Sequence, residues 1–340
     1  MSDDRVLTLA LRPKGLDDLV GQSKNVEAIK NQIASGRIPR AWMFEGPPGG
    51  GKTTLARILA LSFQLPKERF GAPTDADWAE SMREGQWIKY DIVEINASET
   101  NGVEDIKSIA KTSVYLPSPG SKKRVFIMDE AQRLTRDAQN LLLKYTEDPP
   151  KGTVWMFCTT DPGKILPALK SRCKAAYYRV RPLGTEAMTK LIKRAMKAAG
   201  QTKPIEPLVE AFDLCGVTSP REIVAAVESY LAGKTAQAAV ISGESEINTG
   251  RICKAFIRGD WPCIRGEMKG ATGDEARAAR LGVLGYLRAI LLSPSGSSIP
   301  ATRLADSIVA LTNSNGPFED SAYAAWVTAI LFQECRKYKS

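Results

Sequence analysis

Short, almost wholly apolar runs alternate with amphipathic helical patterns through the first half of the chain. The predicted strands are Ala41–Phe44, Asp91–Ile95, Arg124–Met128, Thr153–Cys158 and Ala175–Val180. The predicted helices are Lys24–Ser35, Lys52–Leu61, Gly102–Ser113, Arg136–Glu147 and Ile165–Leu169. Strands that alternate with helices favour a parallel sheet with helices on both faces, an α/β fold. Residues 64–90 interrupt this pattern and are predicted to be an insertion or a long connection.

The strand pattern stops at Pro182, and the rest of the chain has only helical periodicity. Three amphipathic segments ended by glycine occupy residues 184–233, and four further helical segments lie between residues 251 and 338. The predicted domains are therefore residues 1–181, an α/β core; residues 182–236, a small helical domain; and residues 249–340, an all-helical domain. Residues 237–248 are predicted to be a linker.

Composition excludes several classes of site. The 340 residues include no histidine, which removes histidine general bases, Ser-His triads and histidine-ligated metals. The six cysteines are scattered without a CxxC pair, so neither a zinc site nor a disulfide framework is expected. No signal peptide is recognised, and the most apolar late stretch is short and carries Arg288, so a cytoplasmic protein without a membrane span is expected. The net charge of +9 is as compatible with a polyanionic partner as with the lack of one.

A glycine-rich loop follows the first predicted strand. Gly46-Pro47-Pro48-Gly49-Gly50-Gly51-Lys52-Thr53 fits the pattern G-x-x-x-x-G-K-[ST] between a strand and a helix, which is the context of a phosphate-binding loop. Glycines let backbone N–H groups face phosphate oxygens, and the helix start adds positive charge. Lys52 would reach the β- and γ-phosphates of a triphosphate, and the Thr53 hydroxyl would bind Mg²⁺.

The third predicted strand ends in two carboxylates, Asp129 and Glu130. Asp129 is predicted to hold Mg²⁺ through its water shell, and Glu130 to polarise an attacking water. An acidic strand end is common in any protein, so this prediction depends on the phosphate loop beside it.

Several segments, taken in order, resemble the AAA+ subunits of sliding-clamp loaders. These are the bacterial polymerase III gamma/tau subunit, the small subunits of replication factor C and the phage clamp-loader large subunit. The segments that carry the resemblance are RPKGLDDLVGQ, GRIPRAWMFEGPPGGGKTTLARILA, DIVEINASETNGVEDIK, VFIMDEAQRLTRDAQNLLLKYTEDPP and FCTTDPGKILPALKSRC. The resemblance covers residues 7–235 and implies an ATP hydrolase with a helical lid. For residues 249–340 only helical content and position agree with the collar that holds such subunits in a pentameric ring.

The resemblance assigns further residues to the nucleotide site. Thr160 matches the sensor that contacts the γ-phosphate, although its neighbour Thr159 is an alternative. Arg172, in Ser-Arg-Cys, matches the arginine that enters the next subunit's ATP site. Residues matched to nucleotide binding are Arg12, Val20, Gly21, Gln22, Thr54 and, in the lid, Arg221.

The resemblance also implies partners: a sliding clamp, primer-template DNA and other clamp-loader subunits. Predicted DNA contacts are Lys107, Lys111, Arg133 and Arg136, each of which is equally well explained as surface charge. Asn96 is a candidate switch that restrains Glu130 until DNA binds. The chain departs from the family at two points. Residues 63–90 contain no cysteine, so the zinc site of the bacterial subunit is not expected, and the last residue of Asp-Glu-Ala-Gln differs from the one usual in relatives.

Two other functions remain open from the sequence. One is another AAA+ DNA machine, either a branch-migration helicase or an initiator ATPase. The other is a nucleotide-gated scaffold subunit that does not hydrolyse ATP. The presence of Lys52, Glu130 and Arg172 in one chain favours hydrolysis over the scaffold.

Overall fold

The computed structural model describes residues 7–36, 38–83, 85–113, 115–215, 218–241, 249–269, 271–291, 299–312 and 320–338. The seven strands of these residues are β1 (Ala41–Glu45), β2 (Met82–Arg83), β3 (Gln86–Trp87), β4 (Ile92–Asn96), β5 (Arg124–Asp129), β6 (Thr153–Thr159) and β7 (Tyr177–Arg179). The helices of the first half are α1 (Leu7–Ala10), α2 (Ser23–Ala34), α3 (Lys52–Ser62), α4 (Asp75–Ser81), α5 (Val103–Thr112), α6 (Arg136–Glu147) and α7 (Pro167–Arg172). Those of the second half are α8 (Thr185–Ala198), α9 (Glu206–Cys215), α10 (Pro220–Leu231), α11 (Ala236–Ile241), α12 (Thr249–Ile257), α13 (Trp261–Glu267), α14 (Gly273–Leu291), α15 (Ala301–Thr312) and α16 (Asp320–Cys335).

Five strands form one parallel sheet in the order β4-β5-β6-β1-β7, which confirms the predicted α/β class. Successive side chains of a strand point to opposite faces, and both faces here are covered. In β5, Val125 and Ile127 join the core that includes α3, whereas Phe126 and Met128 join the core that includes α6. Burial on both faces explains why these strands are continuous apolar runs in the sequence.

Three local predictions need correction. The helix expected at Ile165–Leu169 instead spans Pro167–Arg172. Proline is favoured at the first position of a helix, and Pro167 occupies that position. The last strand begins later than expected, at Tyr177, because residues 174–176 form a 3₁₀ turn. The segment 64–90, predicted as an insertion or a long connection, contains α4 and the β2–β3 hairpin and adds no strand to the main sheet among the described residues.

The third correction concerns the predicted linker, residues 237–248. Its first part belongs to α11, and Ala239 and Val240 are buried, so apolar packing there favours a helix. Residues 242–248 lie outside the described part of the chain.

The chain forms two compact units, Leu9–Ala187 and Met188–Ser340, the second of which also includes Leu7 and Thr8. The predicted collar and the predicted lid from Met188 onward lie in the second unit. Their separation into two domains stays a prediction. In the second unit a core of buried apolar side chains joins the helices from α12 to α16, and it includes Phe256, Leu287, Leu304 and Leu331. No helix of the described residues is long and apolar enough to cross a membrane.

A buried ion pair ties α3, the helix after the glycine-rich loop, to the edge strand β4. Arg57 donates from Nε to Oε2 of Glu94 at 2.8 Å and from Nη2 to Oε1 at 2.5 Å. The two side chains are only 17% and 18% exposed. Burial alone would lower the pKa of Arg57, but the hydrogen bond and negative charge of Glu94 raise it above its ordinary value.

Replacing Glu94 with alanine is expected to lower the free energy of unfolding by roughly 3–5 kcal/mol, because a guanidinium then stays buried without its counter-charge. The matched control is Asp75→Ala, since Asp75 pairs with Lys14 at the surface and its side chain is 79% exposed. That loss should be below about 1 kcal/mol. Urea denaturation measures both, and equal losses would contradict a special role for the buried pair.

Candidate functional site

The glycine-rich loop, residues 46–51, leaves the carboxyl end of β1 and leads directly into α3. Gly46 lies so close to the end of β7 that an added Cβ would be 2.4 Å from the backbone oxygen of Val180. Gly51, just before the helix, has φ of +96°, a left-handed conformation that side chains disfavour. The loop therefore needs glycine for its path as well as for the close approach of a phosphate group.

The side chains after the loop point into the same site. The Lys52 side chain is buried, and its ammonium donates to the carbonyl oxygens of Gly46 at 3.0 Å and Pro47 at 2.9 Å. The Thr53 hydroxyl donates to Oδ2 of Asp129 at 2.9 Å. The two residues predicted to hold Mg²⁺ thus already lie together, although they are far apart in sequence. Thr54 is half-buried in the first turn of α3.

Asp129 is the last residue of β5, and burial raises the pKa of its carboxyl above the ordinary value. Hydrogen bonds from Thr53 and from the backbone N–H of Glu130 oppose that shift, while the charges of Glu130 and Glu94 add to it. A carboxylate and a hydroxyl form the all-oxygen donor set that Mg²⁺ prefers. A bound cation would favour the ionised carboxylate, so these residues fit the metal.

Glu130 turns the chain sharply after β5. Its φ of +51° is the one positive value at a non-glycine position in the described chain. Left-handed backbone is disfavoured for a residue with a side chain, and such strain concentrates at functional sites. The turn lets the Glu130 N–H donate to Oδ1 of Asp129 at 3.0 Å.

Gln132 connects Glu130 to the end of β6, a contact that motif matching did not predict. Its Nε2 donates to the Glu130 carboxylate and, at 2.7 Å, to the Thr160 hydroxyl. Its Oε1 accepts from the Thr159 hydroxyl at 2.9 Å and from the Thr160 N–H at 3.2 Å. The signal in the sequence was the unusual last residue of Asp-Glu-Ala-Gln. Both threonines lie at the site. The Nε2 group of Gln132 donates to both the Thr160 hydroxyl and the Glu130 carboxylate.

Two of the residues matched to the adenine site, Gly21 and Gln22, lie beside the segment that follows β7. Gln22 is buried and donates from Nε2 to the carbonyl oxygen of Arg181 at 2.8 Å. An added Cβ at Gly21 would be 2.5 Å from Cδ2 of Leu183. Since Val180 contacts Gly46, this segment connects residues 21–22 to the glycine-rich loop. Val20 is half-buried, and Arg12 is exposed.

Two arginines predicted from the resemblance belong to different units of the chain. Arg172 ends α7 and pairs with Glu147, the last residue of α6. Helix α6 starts beyond the carboxyl end of β5 and is 12 residues long, so Glu147 lies about 18 Å along it, toward the amino edge of the sheet. Lys52 lies at the carboxyl edge, so Arg172 is placed away from the loop of its own chain. Arg221 is exposed in the first turn of α10, in the second unit.

The remaining predicted residues are at the surface. Lys107 and Lys111 are exposed on α5, whereas their neighbours Ile106 and Ala110 are buried. Arg133 and Arg136 are exposed just before and at the start of α6.

Asn96, the candidate switch, donates from Nδ2 to Glu99 at 2.8 Å and accepts from the Ser98 N–H at 3.0 Å. In the described residues it is Gln132, rather than Asn96, that binds the Glu130 carboxylate. The assignments of individual residues to DNA contact and to switching stay predictions.

Comparisons with known proteins bear on the family resemblance and on the fold. Residues 21–181 match the family described as DNA polymerase III, delta subunit. DNA polymerase III subunit gamma/tau of Mycobacterium bovis is 33% identical over 225 residues, which are 65% of this chain and 38% of that protein. DNA polymerase III subunit tau of Escherichia coli is 34% identical over 170 residues, 50% of this chain and 26% of that protein. The chain thus spans well under half the length of these relatives.

Solved structures support the fold alone. Two single-residue variants of Thermotoga maritima RuvB give TM-scores of 0.51 and 0.50 at 17% and 18% identity. Each comparison covers 87% of this chain and nearly all of the other. The RuvB likeness and the parallel sheet confirm the AAA+ fold, and the gamma/tau relatives confirm the resemblance to clamp loaders.

Proposed function

We propose that this chain is an ATP-hydrolysing motor subunit of a DNA-replication clamp loader. The observation that carries the proposal is a division of the site between two edges of the sheet. Lys52, Asp129, Glu130 and Thr160 meet at the carboxyl edge, whereas Arg172 is held by Glu147 toward the opposite edge. A site of this kind is completed by an arginine from a neighbouring subunit, as in a ring.

ATP binding would use groups that are already in place. The Lys52 ammonium would exchange its two carbonyl contacts for oxygens of the β- and γ-phosphates, and the N–H groups of residues 49–53 would face the same phosphates. Mg²⁺, held by Thr53 and Asp129, would neutralise charge on those phosphates. Arg12, Val20, Gly21 and Gln22 would line the adenine side, and Arg221 would let the lid respond to bound nucleotide.

Hydrolysis would then depend on positioning and charge, as in other phosphoryl transfers to water. Glu130 would orient and polarise the attacking water, and Thr160 would contact the γ-phosphate or that water. Arg172 of the adjacent subunit would stabilise the charge that develops on the transferred group. Loss of these contacts after hydrolysis would release the partners that the ATP-bound ring had gripped.

The partners follow from the relatives, which are named as DNA polymerase III subunits. We infer that they are a sliding clamp, primer-template DNA and other clamp-loader subunits in a five-membered ring. Residues 1–181 would bind nucleotide, residues 182–236 would form the lid, and residues 249–340 would form the collar. Exposed cations on α5 and around the start of α6 would contact DNA phosphates without reading sequence.

The test is ATP turnover of the purified full chain, alone and with the subunits that complete its assembly. Primer-template DNA and a sliding clamp from the same source are expected to raise turnover strongly when added together. Primed DNA is expected to act more strongly than either single strand, because the clamp-loading reaction needs the junction. Strand unwinding or junction migration would favour a helicase, and binding without turnover would favour a scaffold; either result would reject the proposal.

A further inference from the structure

Gln132 makes every hydrogen bond that a side-chain amide can make in this site. The amide has two N–H donors and an oxygen with two acceptor positions. The donors reach Glu130 and the Thr160 hydroxyl, and the acceptors take the Thr159 hydroxyl and the Thr160 N–H. Exchanging the amide oxygen and nitrogen would place a donor against the Thr160 N–H. The network therefore permits one orientation of the amide.

The bridge leaves the reactive positions of its two partners available. Glu130 accepts from Gln132 through Oε2, and the described hydrogen bonds place none on its Oε1. The Thr160 oxygen accepts from Gln132, so its hydroxyl hydrogen remains available for donation. One amide group thus fixes the distance between the carboxylate that would polarise water and the hydroxyl that would contact phosphate.

We propose that Gln132 is a positioning residue that couples the Glu130 carboxylate to Thr160 and thereby sets the geometry of the attacking water. The inference rests on the proposed ATP hydrolysis. Gln132 acts through Glu130, and the described hydrogen bonds include none from its amide to the phosphate loop. A small misplacement of a catalytic group costs about 10²-fold in rate, which sets the expected effect. The left-handed backbone of Glu130 sets the direction in which its side chain leaves the main chain. The hydrogen bond from Gln132 then fixes the position of the carboxylate.

The sharpest variant is Gln132→Glu, which keeps the size and both acceptor contacts but has no N–H to donate. We expect both Gln132→Glu and Gln132→Ala to lower the turnover number roughly 10²-fold. The dissociation constant of a fluorescent ATP analogue should stay unchanged, since the loop and Lys52 are intact. The control Gln201→Ala, at an exposed glutamine outside the site, should match the wild type in turnover. Thermal unfolding of each variant identifies any that fail to fold.

A double-mutant cycle separates positioning from a structural role. The Gln132→Ala substitution should lower the rate of single-turnover hydrolysis about 10²-fold in the wild-type background. It should lower that rate hardly at all in a chain that already carries Glu130→Gln. An equal loss in both backgrounds, or wild-type turnover of Gln132→Glu, would overturn the inference while leaving ATP hydrolysis by this chain intact. A wild-type chain and assembly that never hydrolyse ATP would instead overturn the proposed function, and this inference with it.

Discussion

Replacing Arg172 with alanine is expected to lower DNA-stimulated ATP hydrolysis by roughly 10³–10⁵-fold while leaving ATP binding nearly unchanged. The reason is geometric. Arg172 pairs with Glu147 at the far end of α6, and Lys52 lies at the other edge of the sheet. In the proposed ring, this arginine would therefore serve a neighbour's nucleotide. Turnover with primed DNA and clamp measures the loss, and equilibrium binding of an ATP analogue measures what is retained. The control is Lys174→Ala, an exposed cation two residues further along the chain.

A mixing experiment tests whether the arginine acts between subunits. Chains with Arg172→Ala retain Lys52, and chains with Lys52→Ala retain Arg172. Co-assembly of the two inactive chains should restore part of the turnover, because some subunit interfaces then combine an intact phosphate loop with an intact Arg172. If the mixed assembly forms but is as inactive as the assembly of either variant alone, Arg172 does not act across the interface between subunits.

The Glu130→Gln variant is expected to bind ATP normally and to hydrolyse it about 10²–10⁴-fold more slowly, since the carboxylate that would polarise water is lost. Glutamine keeps the size of the side chain and can still accept from Gln132, so the fold should be retained. ATP should therefore hold the variant on clamp and DNA, and co-sedimentation of the complex measures that accumulation. The matched control is Glu99→Gln, at the exposed carboxylate bound by Asn96.

Wild-type turnover of Glu130→Gln would assign the water-polarising role to another group. A loss of ATP binding would instead indicate that the substitution disturbs the adjacent Asp129, whose carboxylate accepts from the Glu130 N–H. Thermal unfolding with and without nucleotide distinguishes these two results.

The sheet and the phosphate loop could be predicted from the sequence because their physical causes are local. Strands buried on both faces are apolar through their middle residues, as residues 125–128 of β5 and 154–158 of β6 show. The loop carries its own signature, since Gly46 and Gly51 are required by its path. Helix α13, in contrast, was not predicted, because its seven residues are too few for a periodic pattern.

The network around Gln132 could not be predicted from local pattern. It joins the end of β5 to the end of β6, and only the parallel sheet brings those ends together. Sequence alone left Thr159 and Thr160 as alternatives for one role, whereas the structure gives both a contact with the same amide. The ion pair of Arg172 with Glu147 is likewise a contact between the ends of separate helices.

The left-handed conformation of Glu130 has an evolutionary consequence. A residue with a side chain in that conformation costs about 1–2 kcal/mol relative to a relaxed backbone, and glycine would remove the cost. Under the proposed function, selection for hydrolysis is what would retain the carboxylate at this position. In a lineage whose subunit kept its place in the ring but no longer turned over ATP, drift at position 130 should favour glycine, and heat tolerance should rise as turnover disappears.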